Sequence, residues 1–409
     1  MNILFLTNSS MAVMGGYETL IMRMSDYLVR QGHSAYLISP SIDERLRAEF
    51  NSAVVIQNSG IDFNELYAHG AFERFYNSVE LPMLDVIICI DMRSYILAGL
   101  MLAELNCPNV RLILGLFQPD SVRQVTGRDG VALMVRWLLK QEGSRTSVVA
   151  MLKKLQREWD GHFAGVCASD FISLPVELVR FRAVKRSPDP YRIVSVGRLD
   201  DYKTYNIFMI EIVRRLVDRG LDVRYDIYGE GPYQSKIELE IQKYKLEDRV
   251  CLRGHLAYEH FPQVLKTAYC FVGMGTAAIE AAAAGVPVAY SPPRDMIGVT
   301  HGLFHKFDVT ELGGFAHETN PPLKIYDVLL DLMLLDATQY SAECEASSAT
   351  MEMYSMDSVM AQYNELFIER CGPNRSRHMR RNDSFRKYCD FVLLLRRLRR
   401  LCRKVMRLS

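Results

Sequence analysis

Paired cysteines are missing from this sequence. Its nine cysteines, an odd number, are scattered from Cys89 to Cys402 with no C-x-x-C spacing. That pattern argues against a disulfide framework and against a zinc site, and it reads as reduced, mostly buried thiols in a cytoplasmic protein. Long apolar runs are missing as well: the longest in the tail is Phe391 to Leu395, and nothing approaches the run of about 18 apolar residues that crosses a bilayer. The opening Met1 to Leu6 is a short buried-strand pattern that leads straight into Thr7-Asn8-Ser9-Ser10, without the basic start, apolar core and small-residue cleavage site of a secretion leader. No internal repeat of fixed period and no low-complexity segment occurs, which sets repeat architectures aside. Net charge is nearly absent at +1, but it conceals an asymmetry: from Arg375 to Ser409 there are thirteen Lys or Arg against two acids, so a mildly acidic body ends in a strongly basic arm.

What is present is an ordinary globular composition, 49% hydrophobic and 24% charged, over 409 residues. That length exceeds one comfortable core and predicts two domains. Short apolar runs alternate with helical stretches, as in βαβ units. Asn2 to Leu6, Ala35 to Ser39, Asp85 to Ile90 and Val110 to Leu114 read as parallel strands. Tyr17 to Gln31 reads as an amphipathic helix stopped by Gly32, and Val131 to Trp159 as helix-rich. Val184 to Pro190 is polar and proline-punctuated, with the composition of a linker. The alternation then restarts, with strands at Arg192 to Val196, Val223 to Tyr228, Val250 to Leu252, Tyr269 to Val272 and Pro287 to Tyr290. Helices are expected at Asn206 to Asp218, Ser235 to Tyr244 and Ala277 to Ala284, the last built of small residues. The expected organisation is a first α/β domain over 1–185, a second over 186–355, a helix over 356–374 crossing back to the first domain, and a basic amphipathic tail over 375–409.

The informative residues cluster at the ends of the second set of strands. Val196-Gly197-Arg198-Leu199 closes one strand, with Lys203 five positions after Arg198. Tyr228-Gly229-Glu230-Gly231-Pro232 closes the next, and Gly273-Met274-Gly275-Thr276 opens the small-residue helix that carries Glu280. A strand, a glycine turn and a helix start cradle phosphate, because exposed N–H groups and the helix dipole favour an anion there. Arg198 and Lys203 add two cations, so the segment suits a diphosphate.

With Glu280-Ala-x-Ala-x-Gly285-x-Pro287 and the early Gly15-Gly16-Tyr17-Glu18, these motifs resemble family 4 (group 1) of the nucleotide-sugar glycosyltransferases, over roughly residues 1 to 370. The resemblance implies the GT-B fold: two Rossmann-like α/β domains with parallel sheets facing a central cleft, here followed by a basic C-terminal helical tail. It also implies a retaining, metal-independent hexosyl-type transfer with no cofactor, from a nucleotide-sugar donor to a glycan or lipid-linked acceptor in cell-surface polysaccharide biosynthesis. The absence of any Asp-x-Asp motif agrees with that. On this reading Arg198 and Lys203 are catalytic, meeting the charge that develops on the departing phosphate. Gly16, Gly197, Gly273, Gly275, Thr276 and Glu280 bind the donor, with Thr276 available to cap its helix and Glu280 to accept from ribose hydroxyls. Gln118 and Asp91 are sugar or acceptor contacts. The loop position of His255 suits a base pocket, but a lone loop histidine is more often structural. Glu18 favours its helix dipole without any ligand.

Two positions depart from the family pattern. The first glutamate of the paired-glutamate motif falls on Val272, and the histidine beside the donor sugar falls on Gln118 in Phe117-Gln118-Pro119. Glutamine can hydrogen-bond a hydroxyl but cannot shuttle a proton at neutral pH. Two alternatives therefore stay open: a degenerate GT-B protein that binds nucleotide or glycan as a subunit of an assembly, and a nucleotide-sugar epimerase, for which the required carboxylate or histidine set is not found. In the tail, Phe391, Leu394, Leu395, Leu398, Leu401, Val405 and Leu408 fall near one helical face, ringed by Arg396, Arg397, Arg399, Arg400, Arg403, Lys404 and Arg407. That is the pattern of a helix lying on an anionic membrane surface, and it predicts peripheral attachment at the inner face of a membrane; a solvated tail is the alternative, and nucleic acid is not the expected partner.

Overall fold

Consecutive buried apolar residues mark strands that are covered on both faces, the usual state of parallel sheets. In the computed structural model, which describes residues 1–12, 15–59, 75, 78–105, 109–118, 120–295, 297–307 and 323–368, this pattern builds two compact units. Of the described residues, the first comprises those in Met1–Ile172 together with Met360–Ile368, and the second comprises those in Ser173–Val359.

The first unit holds a seven-stranded sheet. Its strands are β1 (Asn2–Leu6), β2 (Ser34–Ser39), β3 (Val55–Asn58), β4 (Val86–Cys89), β5 (Arg111–Leu116), β6 (Thr146–Ala150) and β7 (Ser169–Phe171), in the order β3-β2-β1-β4-β5-β6-β7. Every pairing is parallel. All residues of β4, β5 and β6 are buried. The helix Gly16–Arg30 buries Leu20, Ile21, Met24 and Leu28, the i, i+3/i+4 stripe that faces a core, and Gly32 at φ +79° follows its end. The stretch from Val131 to Trp159 is helix-rich as expected, but it also holds strand β6, which is not among the expected strands and which separates the helices Gly130–Glu142 and Lys153–Phe163. Its Thr146 and Ser147 obscure the apolar run, yet both are buried, Thr146 with a bond to Tyr95 and Ser147 with a bond from Arg111. Strands β3 and β7 are short, with polar residues at half or more of their positions, so the apolar pattern does not reveal them.

The second unit holds a five-stranded parallel sheet: β8 (Arg192–Val196), β9 (Arg224–Tyr228), β10 (Val250–Gly254), β11 (Cys270–Gly273) and β12 (Val288–Tyr290), in the order β10-β9-β8-β11-β12. Each lies within one or two residues of its predicted span. Asp226 in β9 is 5% exposed, and its carboxylate is shared by Arg192 and Arg253 from the flanking strands, each Nε at 2.7 Å, the pairing a buried charge requires. The helix Gly275–Ala283 buries Ala278, Ile279, Ala281 and Ala282, the small side chains permitting close approach to its neighbours.

The polar stretch Val184 to Pro190 is strapped to this second unit. Ser187 and Asp189 donate their N–H groups to the carbonyls of Lys266 and Thr267, at 2.8 and 2.9 Å. Arg186 donates from Nη2 to the Ala268 carbonyl at 2.6 Å and the Tyr340 hydroxyl at 3.0 Å, and from Nη1 to the Gly285 carbonyl and to Cys344 Sγ. The last described helix, Met356–Ile368, begins in the second unit, and the first unit resumes at Met360. The predicted tail, 375–409, lies outside the described residues. Among the described residues no helix is long and apolar enough to cross a membrane.

Candidate functional site

In each unit the first strand sits beside the fourth, so the strand order reverses there. Open α/β sheets bind ligands in the crevice beyond the strand ends at such a reversal. In the second unit the reversal lies between β8 and β11, whose Val194 and Phe271 are in register. The Gly197 turn and the Gly273 loop therefore emerge side by side, which spacing alone could not establish.

On the β8 side the two glycine turns run against each other. Gly197 N–H donates to the Tyr228 carbonyl at 2.9 Å, and a Cβ on Gly229 would stand 1.9 Å from the Gly197 carbonyl oxygen. A Cβ on Gly197 would stand 2.0 Å from Lys203 Nζ; glycine at this position leaves room for the lysine's ammonium against bare backbone. Asp200 shapes the turn that returns Lys203, its Oδ1 accepting from the N–H groups of Tyr202 and Lys203 at 3.1 and 3.2 Å. The Lys203 chain keeps some exposed surface, while its ammonium is enclosed: burial lowers the pKa from an ordinary 10.5 to about 8, with Asp200 opposing and Arg198 reinforcing the shift. Arg198 stays 56% exposed and only loosely paired, its Nε 3.5 Å from Asp200 Oδ2.

On the β11 side Gly275 takes φ +65°, a conformation side chains resist, and no other atom lies within 4 Å of where a Cβ would be. The residue before the helix Gly275–Ala283 is Met274, which supplies no capping bond. This corrects the reading of Thr276 as the cap: the helix starts one residue earlier, so the Thr276 hydroxyl belongs to the first turn, and the leading N–H groups are left without a side-chain acceptor from the cap position. Ser291 N–H donates to the Gly273 carbonyl at 2.9 Å. Glu280 is 3% exposed, and its Oε1 accepts from the Tyr258 hydroxyl at 2.9 Å. Val272 is fully buried, and its carbonyl accepts from Ser195 Oγ at 2.6 Å. His255 is exposed just after β10.

Tyr258, Ser195 and Ser291 join the site only through the fold. A loop tyrosine and buried serines carry no signal of their own in the sequence until they are placed next to the motif residues.

In the first unit the reversal lies between β1 and β4, and Asp91 closes it. Its Oδ2 accepts from Asn8 N–H at 3.0 Å, just beyond β1, while Oδ1 accepts from the N–H groups of Arg93 and Ser94, both at 2.9 Å, at the start of the helix Met92–Leu105. Burial raises the Asp91 pKa, and those N–H bonds oppose it. Gln118 follows β5, its Oε1 accepting from Gln124 Nε2 at 3.3 Å. Gly16 opens the helix Gly16–Arg30, and no other atom lies within 4 Å of where its Cβ would stand. Among the described residues no group of three His, Cys, Asp or Glu side chains is placed to hold a metal ion.

This pair of parallel α/β units is the GT-B fold of glycosyltransferases. Over 90% of this chain and 100% of the other, the fold matches a mutant of Staphylococcus aureus TarM crystallised with fondaparinux, alpha-GlcNAc-glycerol and UDP, with a TM-score of 0.66 at 13% identity. Over 89% and 98% it matches Anabaena HepE in complex with UDP and glucose, with a TM-score of 0.63 at 15% identity. At these identities the likeness is one of fold. Residues 179–300 match the family of glycosyl transferases group 1, so that segment is a group 1 glycosyltransferase domain, and it contains Arg198, Lys203 and Glu280. In sequence, the chain is 33% identical over 127 residues to the putative colanic acid biosynthesis glycosyltransferase WcaL of Escherichia coli, covering 28% of this chain and 31% of that protein. It is 25% identical over 204 residues to the poly(ribitol-phosphate) alpha-N-acetylglucosaminyltransferase of Staphylococcus aureus, covering 49% and 38%. The chain thus spans about a third of the length of these relatives.

Proposed function

We propose that the protein is a retaining glycosyltransferase that moves a sugar from a nucleoside-diphosphate sugar to a glycan or lipid-linked acceptor in cell-surface polysaccharide biosynthesis, working without a metal at the inner face of a membrane. The observation that carries this reading is the Lys203 ammonium held over the Gly197 backbone, beside the open helix start at Gly275. A diphosphate seated there meets one enclosed cation, one exposed cation at Arg198 and the N–H groups of the helix start. The bond between the anomeric carbon and the diphosphate oxygen breaks, and the charge left on the phosphate is met by Lys203 and Arg198. The acceptor oxygen bonds to the same face of that carbon, and its proton passes to the departing phosphate. Glu280 accepts from the ribose. UDP, present with both TarM and HepE in their crystals, makes a uridine diphosphate sugar the first donor to test.

Val272 favours a second reading. A buried valine stands where a carboxylate is expected against the donor sugar, which suits a subunit that binds nucleotide or glycan without turning it over. A thermal-shift series with UDP, GDP, ADP and CMP separates the outcomes. The native chain should be stabilised by one nucleoside diphosphate through mass action, with the shift reduced in Arg198→Ala and in Glu280→Gln. Stabilisation together with sugar transfer supports the enzyme, stabilisation without transfer to any glycan supports the binding subunit, and no shift from a well-folded sample sinks both.

A further inference from the structure

Glu280 is the sole acid in the helix Gly275–Ala283, in a setting of alanine and isoleucine, and it is almost entirely buried. A carboxylate so placed can serve a ligand only if its rotation is set before the ligand arrives, since each buried oxygen left unmatched is costly. The Tyr258 hydroxyl, 2.9 Å from Oε1, comes from the turn that follows β10.

Tyr258 is itself held. Its ring stands edge-on to Phe181, with centroids 6.2 Å apart and planes at 63°, and the Arg180 guanidinium lies 4.9 Å from its centroid. Phe181 is fully buried and continues edge-on to Phe261 at 5.7 Å, which lies 6.2 Å from Phe271 in β11. An aromatic chain therefore ties the tyrosine to the same strand whose end carries the Gly273 loop. Contacts of this kind restrict a ring through packing and through the cation on its face.

We infer that Tyr258 is a positioning residue for nucleotide recognition: it sets the rotation of the Glu280 carboxylate so that ribose hydroxyls find an acceptor already oriented. The inference rests on the nucleoside-diphosphate reading given above. A carboxylate oxygen accepts more than one hydrogen bond, so Tyr258 and a ribose hydroxyl can share the group, and the phosphate contacts at Lys203 and Gly275 do not depend on it.

The test compares UDP, GDP and ADP with their 2′,3′-dideoxy counterparts by calorimetric titration of the full chain and of Tyr258→Phe, with the melting temperature of the variant recorded. The native chain should prefer the ribose form of the nucleotide it binds. In Tyr258→Phe that nucleotide should weaken by about tenfold, the cost of one hydrogen bond to a charged group, while the dideoxy form keeps its affinity, so that the preference collapses. Equal weakening of both forms, or unchanged binding of the ribose form, overturns the role assigned to Tyr258 and leaves the nucleotide reading standing. Binding of none of the nucleotides to the native chain overturns the nucleotide reading and this inference with it. Arg180→Ala should reproduce the ribose-specific loss in weaker form, and a loss confined to the dideoxy form would contradict it.

Discussion

The surroundings of Lys203 bring its proton equilibrium close to neutral pH. With a pKa of about 8 in the free protein, it is charged at neutral pH and loses its proton just above. A diphosphate beside its ammonium favours the charged form and raises that pKa in the complex, so binding above pH 8 requires uptake of a proton. Nucleoside diphosphate affinity should stay level between about pH 7 and 7.5 and then fall by up to about tenfold per pH unit above 8, the slope of one linked proton. Calorimetry across pH 7 to 9.5 checks this, with Lys203→Gln expected to bind more weakly and to show no such slope. A slope that persists in the variant would assign the proton to another group. The cation pair was legible in the sequence because Gly197, Arg198 and Lys203 are near neighbours along the chain. The enclosure of one and exposure of the other were not, because they depend on Gly229 pressing its backbone against Gly197 from the next strand.

At the scale of elements, the strap from Val184 to Pro190 decides how firmly the helix bearing Glu280 is anchored. Arg186 donates to carbonyls at two separate places, Ala268 before β11 and Gly285 just after the Glu280 helix, and also to Tyr340. The Tyr340 ring stacks on Tyr269 at 4.2 Å, with its hydroxyl donating to the Tyr269 carbonyl at 2.7 Å. One planar fork thus joins the strap, the start of a central strand and the end of the helix that carries Glu280, which a single ammonium cannot span. Arg186→Ala should destabilise the second unit by about 3 kcal/mol, the scale of a broken buried polar network, and Arg186→Lys should recover little of it. Denaturant titration followed by a probe in the second unit measures this, and a change below about 0.5 kcal/mol would show the strap to be incidental. Composition marked this stretch as polar and proline-rich, features shared by linkers and by straps. Only the positions of the acceptors distinguish them.

For the whole molecule, the basic tail is the feature that would place the chemistry at a surface. Thirteen cations among residues 375–409, with apolar residues spaced between them in the sequence, predict an attraction to anionic lipid that salt weakens. The full chain should co-sediment with liposomes containing anionic lipid at low salt and less so at high salt. A chain ending at Asn374 should lose that binding while keeping its nucleoside diphosphate affinity, because Arg198, Lys203 and Glu280 all lie between Ser173 and Val359. Liposome binding that survives the truncation would move the membrane contact elsewhere.

The sequence by itself determined the two rounds of parallel strands and the motifs at their ends. Strands buried on both faces must be written as unbroken apolar runs, as in Ile3 to Leu6 and Val86 to Cys89, and a close backbone approach or a positive φ demands glycine where Gly197, Gly229 and Gly275 stand. Where polar residues entered a strand, as Thr146 and Ser147 do in β6, the same rule missed it, since their partners Tyr95 and Arg111 are far along the chain. The tertiary structure alone decided which groups act together: Tyr258 reaches Glu280 across 22 residues and Arg186 reaches Gly285 across 99. Such contacts leave no periodic trace, because a hydrogen bond between distant elements requires only one suitable atom at each end, and the fold determines where those ends meet.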